Sequence, residues 1–127
     1  MSDNKVVIGL GSNLDAVVNM GRALYLLGLR VTVRTVSSFE STPPIGITDQ
    51  PDFLNGAVLI ETSMTREQLA SELKLVEDEM GRDRSLPKYG PRVIDLDIIV
   101  WNGEVVDDDF YERDFLRRSV EEIIGSF

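Results

Sequence analysis

Residues 90–101, GPRVIDLDIIVW, form an apolar run that one arginine and two aspartates interrupt. The run predicts a buried strand, the fourth of the sheet. Asp95 and Asp97 are two residues apart, so in a strand they share one face, about 7 Å apart. The opposite face is then expected to carry Ile94, Leu96, Ile98 and Val100. Burying an unpaired carboxylate is costly, so we expect a cationic group beside the pair.

The composition narrows the chemistry that the chain can perform. Its 127 residues predict a single domain, residues 1–127, and they include no cysteine and no histidine. Thiolate zinc sites, cysteine nucleophiles and histidine bases are therefore excluded. The net charge of −9 argues against nucleic acid or an anionic membrane as partner. Without a long apolar stretch or signal-peptide pattern, we expect a cytoplasmic protein, and the oligomeric state stays open.

The periodicity of apolar residues predicts the order βαββαβ. The predicted strands are 5–10, 30–37, 53–61 and 90–101, and residues 39–52 and 82–91 are predicted loops. This order is typical of an α+β, ferredoxin-like plait, an antiparallel sheet with helices on one face. The face that carries Asp95 and Asp97 would then be free for a ligand.

Each predicted helix has a capping signal and an apolar stripe. The first is expected to start at Ser12 or Asn13, with an inner face of Leu14, Val17, Met20, Leu24 and Leu27. The second opens with a capping box, Thr65 and Gln68, and ends at Gly81. Its predicted inner face is Leu69, Leu73, Val76 and Met80.

Three groups of residues are candidates for chemistry. GLGSNL, residues 9–14, imitates the start of a dinucleotide fingerprint, but Leu14 replaces the third glycine and a tight turn is favoured. The Asp95–Asp97 pair suits Mg²⁺ bound together with substrate phosphates, and the alternative is pairing with arginines. Those arginines are Arg82, Arg84 and Arg92, whose guanidinium groups also match phosphate oxygens.

Phe53 and Asn55 share one face of the third strand. An aromatic ring beside an amide can hold a flat heterocycle by stacking and paired hydrogen bonds. A core phenylalanine and an edge asparagine explain the same two residues equally well. The preceding Thr42-Pro43-Pro44 favours the functional interpretation, because prolines leave carbonyl groups in need of partners.

Taken together, SSFESTPPIGITDQPDFLNGAV, the segment from Glu77 to Arg82, and KYGPRVIDLDII resemble the 6-hydroxymethyl-7,8-dihydropterin pyrophosphokinases of folate biosynthesis. The resemblance runs from Val6 to about Val106 and implies the same ferredoxin-like fold. It implies transfer of pyrophosphate from ATP, as co-substrate, to the hydroxymethyl group of the reduced pterin, with release of AMP.

The resemblance also implies roles for individual residues. Asp95 and Asp97 would bind two Mg²⁺ ions, and Arg82 and Arg92 would contact phosphates during transfer. The pterin residues would be Thr42, Pro43, Pro44, Ile45, Phe53, Asn55, Tyr89 and Phe115. The nucleotide residues would be Lys74, Glu77, Arg84, Arg92, Ile98 and Arg113.

The chain departs from the family after the fourth strand. Members usually carry a V-P-H-P-like segment there, whereas NGEVVDDDFYERDF runs directly to Arg113. Lys74 and Phe53 stand where many members have glutamine and tyrosine. The alternative function is therefore a non-catalytic pterin-binding module with a degraded nucleotide site.

Overall fold

The computed structural model describes residues 4–87 and 89–125, so Lys88 of the KYGPR motif lies outside the described residues. The strands are β1 (Asn4–Ser12), β2 (Thr32–Val36), β3 (Glu40–Thr42), β4 (Phe53–Thr62), β5 (Asp95–Trp101) and β6 (Glu104–Val105). The helices are α1 (Ala16–Gly28), α2 (Arg66–Glu79), α3 (Asp109–Glu112) and α4 (Asp114–Ile124). No helix among the described residues is long and apolar enough to cross a membrane.

The strands form one antiparallel sheet in the order β2-β4-β1-β5-β6, with β3 paired to β4. The central four strands and the helices α1 and α2 reproduce the predicted ferredoxin-like plait. The fold-class prediction is therefore confirmed.

The structure corrects several predicted boundaries. Residues 40–42, which were predicted as loop, pair with β4, and the fourth predicted strand begins at Asp95 rather than at residue 90. Helix α1 begins after Asp15, whose φ of 46° is left-handed and whose side chain makes no cap. Ser12 and Asn13 therefore do not cap it. The Thr65–Gln68 capping box of α2 is confirmed, and Gly81 follows that helix at φ 86°.

One hydrophobic core lies between the sheet and helices α1 and α2. All four predicted inner residues of α2 are buried in it. Helix α1 instead buries Met20, Ala23, Leu26 and Leu27, while Leu14 is 39% and Val17 77% exposed. The prediction for Leu14 and Val17 is wrong: Leu14 lies before the first turn of α1, and Val17 lies in that turn on the side away from the buried Ala23 and Leu26.

A second, smaller core lies on the opposite face of the sheet, where α3 and α4 pack. Phe110, Leu116 and Val120 contact strand residues there, among them Ile99 and Val100. A register shift pairs Val7 with Val100 but Ile8 with Ile98, so β5 bulges at Ile99. Val100 was predicted to share the face of Leu96, and this prediction is wrong: the bulge places Val100 on the opposite face. The second face is partly covered, and the open remainder lies beside Asp95 and Asp97.

Candidate active site

The centre of the site is a row of facing residues on the second face of the sheet. Gly11 on β1 pairs with Asp95 on one side and with Asn55 on the other. Gly9 pairs with Asp97 on one side and with Ala57 on the other. Since neighbouring strands are about 4.8 Å apart, the carboxylates and the Asn55 amide flank a strip of bare backbone. The register alone therefore places the predicted metal ligands and the predicted ring-binding amide on one floor.

A cavity of about 370 Å³ stands over this floor, between the sheet and α4, and we call it the sheet-face cavity. It is lined by the predicted pterin residues Thr42, Pro43, Ile45, Phe53, Asn55, Tyr89 and Phe115, and Pro44 lies outside its lining. Its volume falls in the range of small-ligand pockets. An aromatic residue from β4 and another from α4 thus line one cavity of the size that a bicyclic heterocycle needs.

The glycines of β1 keep this cavity open. A Cβ at Gly11 would lie 3.1 Å from Asn55 Oδ1, and one at Gly9 would lie 3.2 Å from Leu116 Cδ1. Asn55 is 9% exposed and donates from Nδ2 to Thr42 Oγ1 at 2.7 Å. This bond fixes the amide, so that its Oδ1 faces the space above Gly11. Residues 9–12 of GLGSNL belong to strand β1 and not to the predicted tight turn, and their two glycines form the floor of the cavity.

A second cavity, of about 600 Å³, lies between α2 and the edge of β5, and we call it the helix-edge cavity. Four predicted nucleotide residues line it: Lys74, Glu77, Arg84 and Ile98. Arg92 and Arg113, also predicted for the nucleotide, line the sheet-face cavity instead. Both cavities share Arg82, Asp95 and Asp97. The two cavities therefore meet at the carboxylate pair.

The two aspartates differ in their partners. Arg82 Nη1 donates to Asp95 Oδ1 at 3.0 Å. The alternative interpretation, in which the aspartates pair with arginines, therefore holds for Asp95. Asp97 forms no ion pair within the described part of the chain. Asp97 is exposed as a residue, but protein groups displace part of the water around its carboxylate, and Asp95, Asp107 and Glu77 add negative charge nearby. Burial and, next, repulsion from Asp95 raise the pKa of Asp97 to about 7.

These carboxylates fit a hard divalent cation. Arg82 provides one positive charge beside the two carboxylates Asp95 and Asp97. A bound cation would reduce the repulsion that remains between them. Among the described residues, no group of three or more acidic side chains is arranged to hold a metal by itself. Mg²⁺ commonly binds through one or two carboxylates and completes its shell with water and phosphate oxygens. The donor set thus suits Mg²⁺ delivered together with a polyphosphate.

Glu77 lies beneath the point where the cavities meet. Its side chain is 4% exposed, Oε2 accepts from the Leu96 N–H at 2.8 Å, and the same oxygen forms an ion pair with Arg82 Nη1 at 2.7 Å. Oε1 accepts from Arg84 Nη2 at 3.1 Å, and Arg84 also pairs with Asp78. Both carboxylate oxygens of this predicted nucleotide residue are therefore already engaged inside the protein.

The two predicted polar loops are held together by hydrogen bonds of two side-chain amides. Asn13, 2% exposed, donates to Gln50 Oε1 and to the Pro51 carbonyl, and its Oδ1 accepts from the Arg92 N–H. Gln50 in turn donates to the Tyr89 carbonyl at 2.6 Å. The Tyr89 ring packs over Gly46, where a Cβ would lie 3.0 Å from it. The loop that carries the pterin residues and the loop that carries the arginines thus contact each other.

Several residues at the cavities were not predicted from the sequence. Asp107 lines the helix-edge cavity, Asp109 and Ser119 line the sheet-face cavity, and Gly9 and Gly11 form its floor. The alternation of glycines within an apolar strand, V-I-G-L-G, was a usable signal, because glycine inside a strand often marks close approach of a ligand. The acidic run 107–109 gave no comparable signal, since such runs are usually solvated.

A ring-sized cavity and a second, polar cavity that join at two carboxylates and an arginine define the site of a two-substrate transferase acting on small phosphorylated molecules. Comparison with known proteins agrees. The sequence model of the 7,8-dihydro-6-hydroxymethylpterin-pyrophosphokinase family matches residues 7–125. The chain belongs to this family, and the match extends beyond the expected end near Val106.

Named relatives cover nearly the whole chain. A 2-amino-4-hydroxy-6-hydroxymethyldihydropteridine pyrophosphokinase of Bacillus subtilis is 38% identical over 132 residues, which are 95% of this chain and 78% of the relative. One of Methylorubrum extorquens is 39% identical over 83% of this chain and 68% of the relative. The mitochondrial folate synthesis bifunctional protein of Pisum sativum is 38% identical over 98% of this chain. The chain spans only 26% of that larger protein. The chain is thus an enzyme of the pyrophosphokinase class in folate biosynthesis, and the non-catalytic module is not favoured.

Proposed function

We propose that this enzyme transfers pyrophosphate from ATP to 6-hydroxymethyl-7,8-dihydropterin in an Mg²⁺-dependent reaction. The observation that carries the proposal is the junction of the two cavities at Asp95, Asp97 and Arg82. A transfer between two bound substrates needs their reacting groups side by side, and this junction is where the contents of both cavities would meet.

The pterin ring is assigned to the sheet-face cavity. Phe53 and Phe115 would stack on its two faces, and the fixed Asn55 amide would bind its polar edge. The hydroxymethyl group then points along the glycine floor toward the carboxylates. ATP is assigned to the helix-edge cavity, with its phosphates directed to the junction.

The reaction forms one bond and breaks one. The hydroxymethyl oxygen attacks the β-phosphorus of ATP, the bond from that phosphorus to the oxygen bridging to the α-phosphate breaks, and AMP leaves with that oxygen. The hydroxyl proton is lost to a base or to solvent. Arg82 and Arg92 would contact the phosphate oxygens as charge shifts among them. The structure gives Arg82 a spare donor, because its buried Nε has no hydrogen-bond partner among the described residues.

Asp95 and Asp97 would hold two Mg²⁺ ions that arrive with the nucleotide. The ions would neutralise the phosphates and orient them for in-line attack. The protein's own part is to fix the two carboxylates on one strand face and to keep the loops 43–51 and 82–92 over the junction. Those loops would exclude water when both substrates are bound.

The direct test is to incubate the protein with ATP, Mg²⁺ and the reduced hydroxymethylpterin and to measure AMP. We expect AMP and pterin diphosphate in equal amounts, with no turnover in EDTA. Asp97→Asn should lose turnover but keep pterin binding. Pterin binding without AMP formation by the unmodified protein would refute the proposal in favour of the module.

A further inference from the structure

Glu77 occupies an unusual position for a residue of a substrate cavity. It lies on α2 between the buried residues Val76 and Met80, and only 3% of its surface is exposed. A buried carboxylate is stable only when it is paired and hydrogen-bonded. Here the Leu96 N–H and Arg84 donate to its two oxygens at 2.8 and 3.1 Å, and Arg82 Nη1 forms an ion pair with one of them at 2.7 Å. Little capacity is left for a hydroxyl or phosphate of a ligand.

The bond to Leu96 falls between the two carboxylates of the site. Leu96 separates Asp95 from Asp97, and its N–H points to the edge of β5 where β6 pairs only with Val100 and Trp101. Glu77 therefore takes the place of a strand partner at this edge. An unpaired N–H there would be buried and costly. The ladder with β1 sets the spacing and the face of the two aspartates, and the bond to Glu77 holds the open edge of β5 between them.

The ion pair with Arg82 connects Glu77 to the arginine of the same site. One atom, Arg82 Nη1, lies 2.7 Å from Glu77 Oε2 and 3.0 Å from Asp95 Oδ1. The arginine is thus held at the junction by a buried charge below and an aspartate above. Without the charge on Glu77, Arg82 would lose the partner that is closer and better shielded from water.

We propose that Glu77 is a positioning residue for transfer, which acts through Leu96 and Arg82 and does not bind the nucleotide itself. This role deepens the proposed function and rests on it, because the kcat in the test is that of the proposed transfer reaction. It differs from the sequence-based assignment of Glu77 to the nucleotide, because the structure engages both of its oxygens internally.

The test is a double-mutant cycle between Glu77→Gln and Arg82→Ala. The Glu77→Gln change would keep an acceptor for Leu96 but remove the charge that holds Arg82. Since small misplacements at a reacting centre cost up to about 100-fold in rate, we expect Glu77→Gln to lower kcat about 10- to 100-fold. The Kd of an ATP analogue with a non-hydrolysable α,β bridge should stay within about threefold. In the Arg82→Ala background the further loss of kcat should be no more than about threefold, because residues that act as a unit are not additive.

The matched control is Glu79→Gln, which removes the same charge from the last turn of the same helix. Glu79 pairs with Arg30 on the other side of α2, so its loss should leave kcat unchanged. Thermal melting and the pterin Kd show whether each variant is folded. If Glu77→Gln does not fold, Glu77→Asp keeps the charge, withdraws it by one methylene, and should give a smaller loss of kcat with normal nucleotide affinity.

Two outcomes would overturn the inference. The first is a loss of nucleotide affinity in Glu77→Gln that is as large as its loss of kcat. This loss would be the same whether residue 82 is arginine or alanine. The second is independent of turnover and therefore separates this inference from the proposed function. Glu77→Leu should increase amide exchange at Leu96 and weaken binding of Mn²⁺ in the presence of the non-hydrolysable ATP analogue, measured by electron paramagnetic resonance, relative to Glu79→Gln. Unchanged exchange and Mn²⁺ affinity would refute the role of Glu77 even if the enzyme made no AMP.

Discussion

Asp97→Asn is expected to stabilise the metal-free enzyme while it abolishes turnover. The Asp97 carboxylate lies beside Asp95 and has a pKa raised from 3.8 to about 7. One pKa unit corresponds to about 1.4 kcal/mol, so an unscreened shift of this size would destabilise the folded state by about 4 kcal/mol. The Asp97 side chain is exposed to water at the cavity mouth, which screens the repulsion. We therefore expect a gain of only about 1–2 kcal/mol in the free energy of unfolding.

The pH dependence follows from the direction of the shift. The folded-state pKa is above the unfolded one, so ionised Asp97 begins to destabilise the fold above about pH 4. The effect is complete once the pH exceeds about 7. The melting temperature of Asp97→Asn in EDTA should thus exceed that of the unmodified protein by about 3–10 °C at pH 8, and by less than half as much at pH 5.

The assay is thermal unfolding in EDTA and in Mg²⁺, with Asp108→Asn as control. Asp108 is exposed in the acidic run 107–109 and makes no side-chain cap to α3, so its replacement should leave the melting temperature nearly unchanged. Mg²⁺ should raise the melting temperature of the unmodified protein more than that of Asp97→Asn. An equal or lower melting temperature for Asp97→Asn at pH 8 would refute the account of Asp97 as a carboxylate that lacks its cation.

Three further predictions concern the substrates. Asn55→Ala should raise the pterin Kd about 2- to 10-fold per hydrogen bond lost and leave nucleotide affinity unchanged, which calorimetry with each ligand can check. Gly11→Ala should weaken pterin binding in the same assay, because its Cβ would lie 3.1 Å from Asn55 Oδ1; unchanged pterin affinity would contradict the glycine floor. Without the V-P-H-P-like segment, nucleotide affinity should depend on phosphates and Mg²⁺, so GTP should compete with ATP in the transfer assay, and strong selectivity for adenine would contradict this.

Local periodicity predicted the elements whose start is fixed by their own side chains. The capping box of Thr65 marked the start of α2, and every residue of its predicted apolar stripe is buried. Helix α1 lacks such a cap. The left-handed Asp15 delays its first turn, and the predicted face was wrong at Leu14 and Val17. A 3.6-residue pattern identifies a helix, but α1 is apolar on more than one side, and packing on the sheet buries Ala23 and Leu26, which the predicted stripe left out.

The site residues divide in a similar way. Alternation in β5 was enough to place Asp95 and Asp97 together, because the period of a strand leaves no choice of face. The bulge at Ile99 was not visible, since it arises from pairing with β1. Arg92 lies in a loop and Arg113 at the start of α4. Which of the two cavities they line depends on tertiary structure, so the sequence could not predict it. The burial of Glu77 was readable in part, because it follows Leu73 by four residues and Val76 by one on the apolar side of α2.

The electrostatics of the junction explain how an acidic chain can bind a substrate that carries a triphosphate. The net charge of −9 would repel a triphosphate, yet Arg82, Arg92 and Arg113 line the cavity that also contains Asp95 and Asp97. The carboxylates repel the phosphates only until a divalent cation lies between them, after which the same charges hold the nucleotide in place. An anion that arrives without its metal meets the full repulsion of Asp97 and its acidic neighbours. The pKa of Asp97 is raised first by burial and next by the neighbouring carboxylates, and those carboxylates are the negative charge that the proposed Mg²⁺ would neutralise.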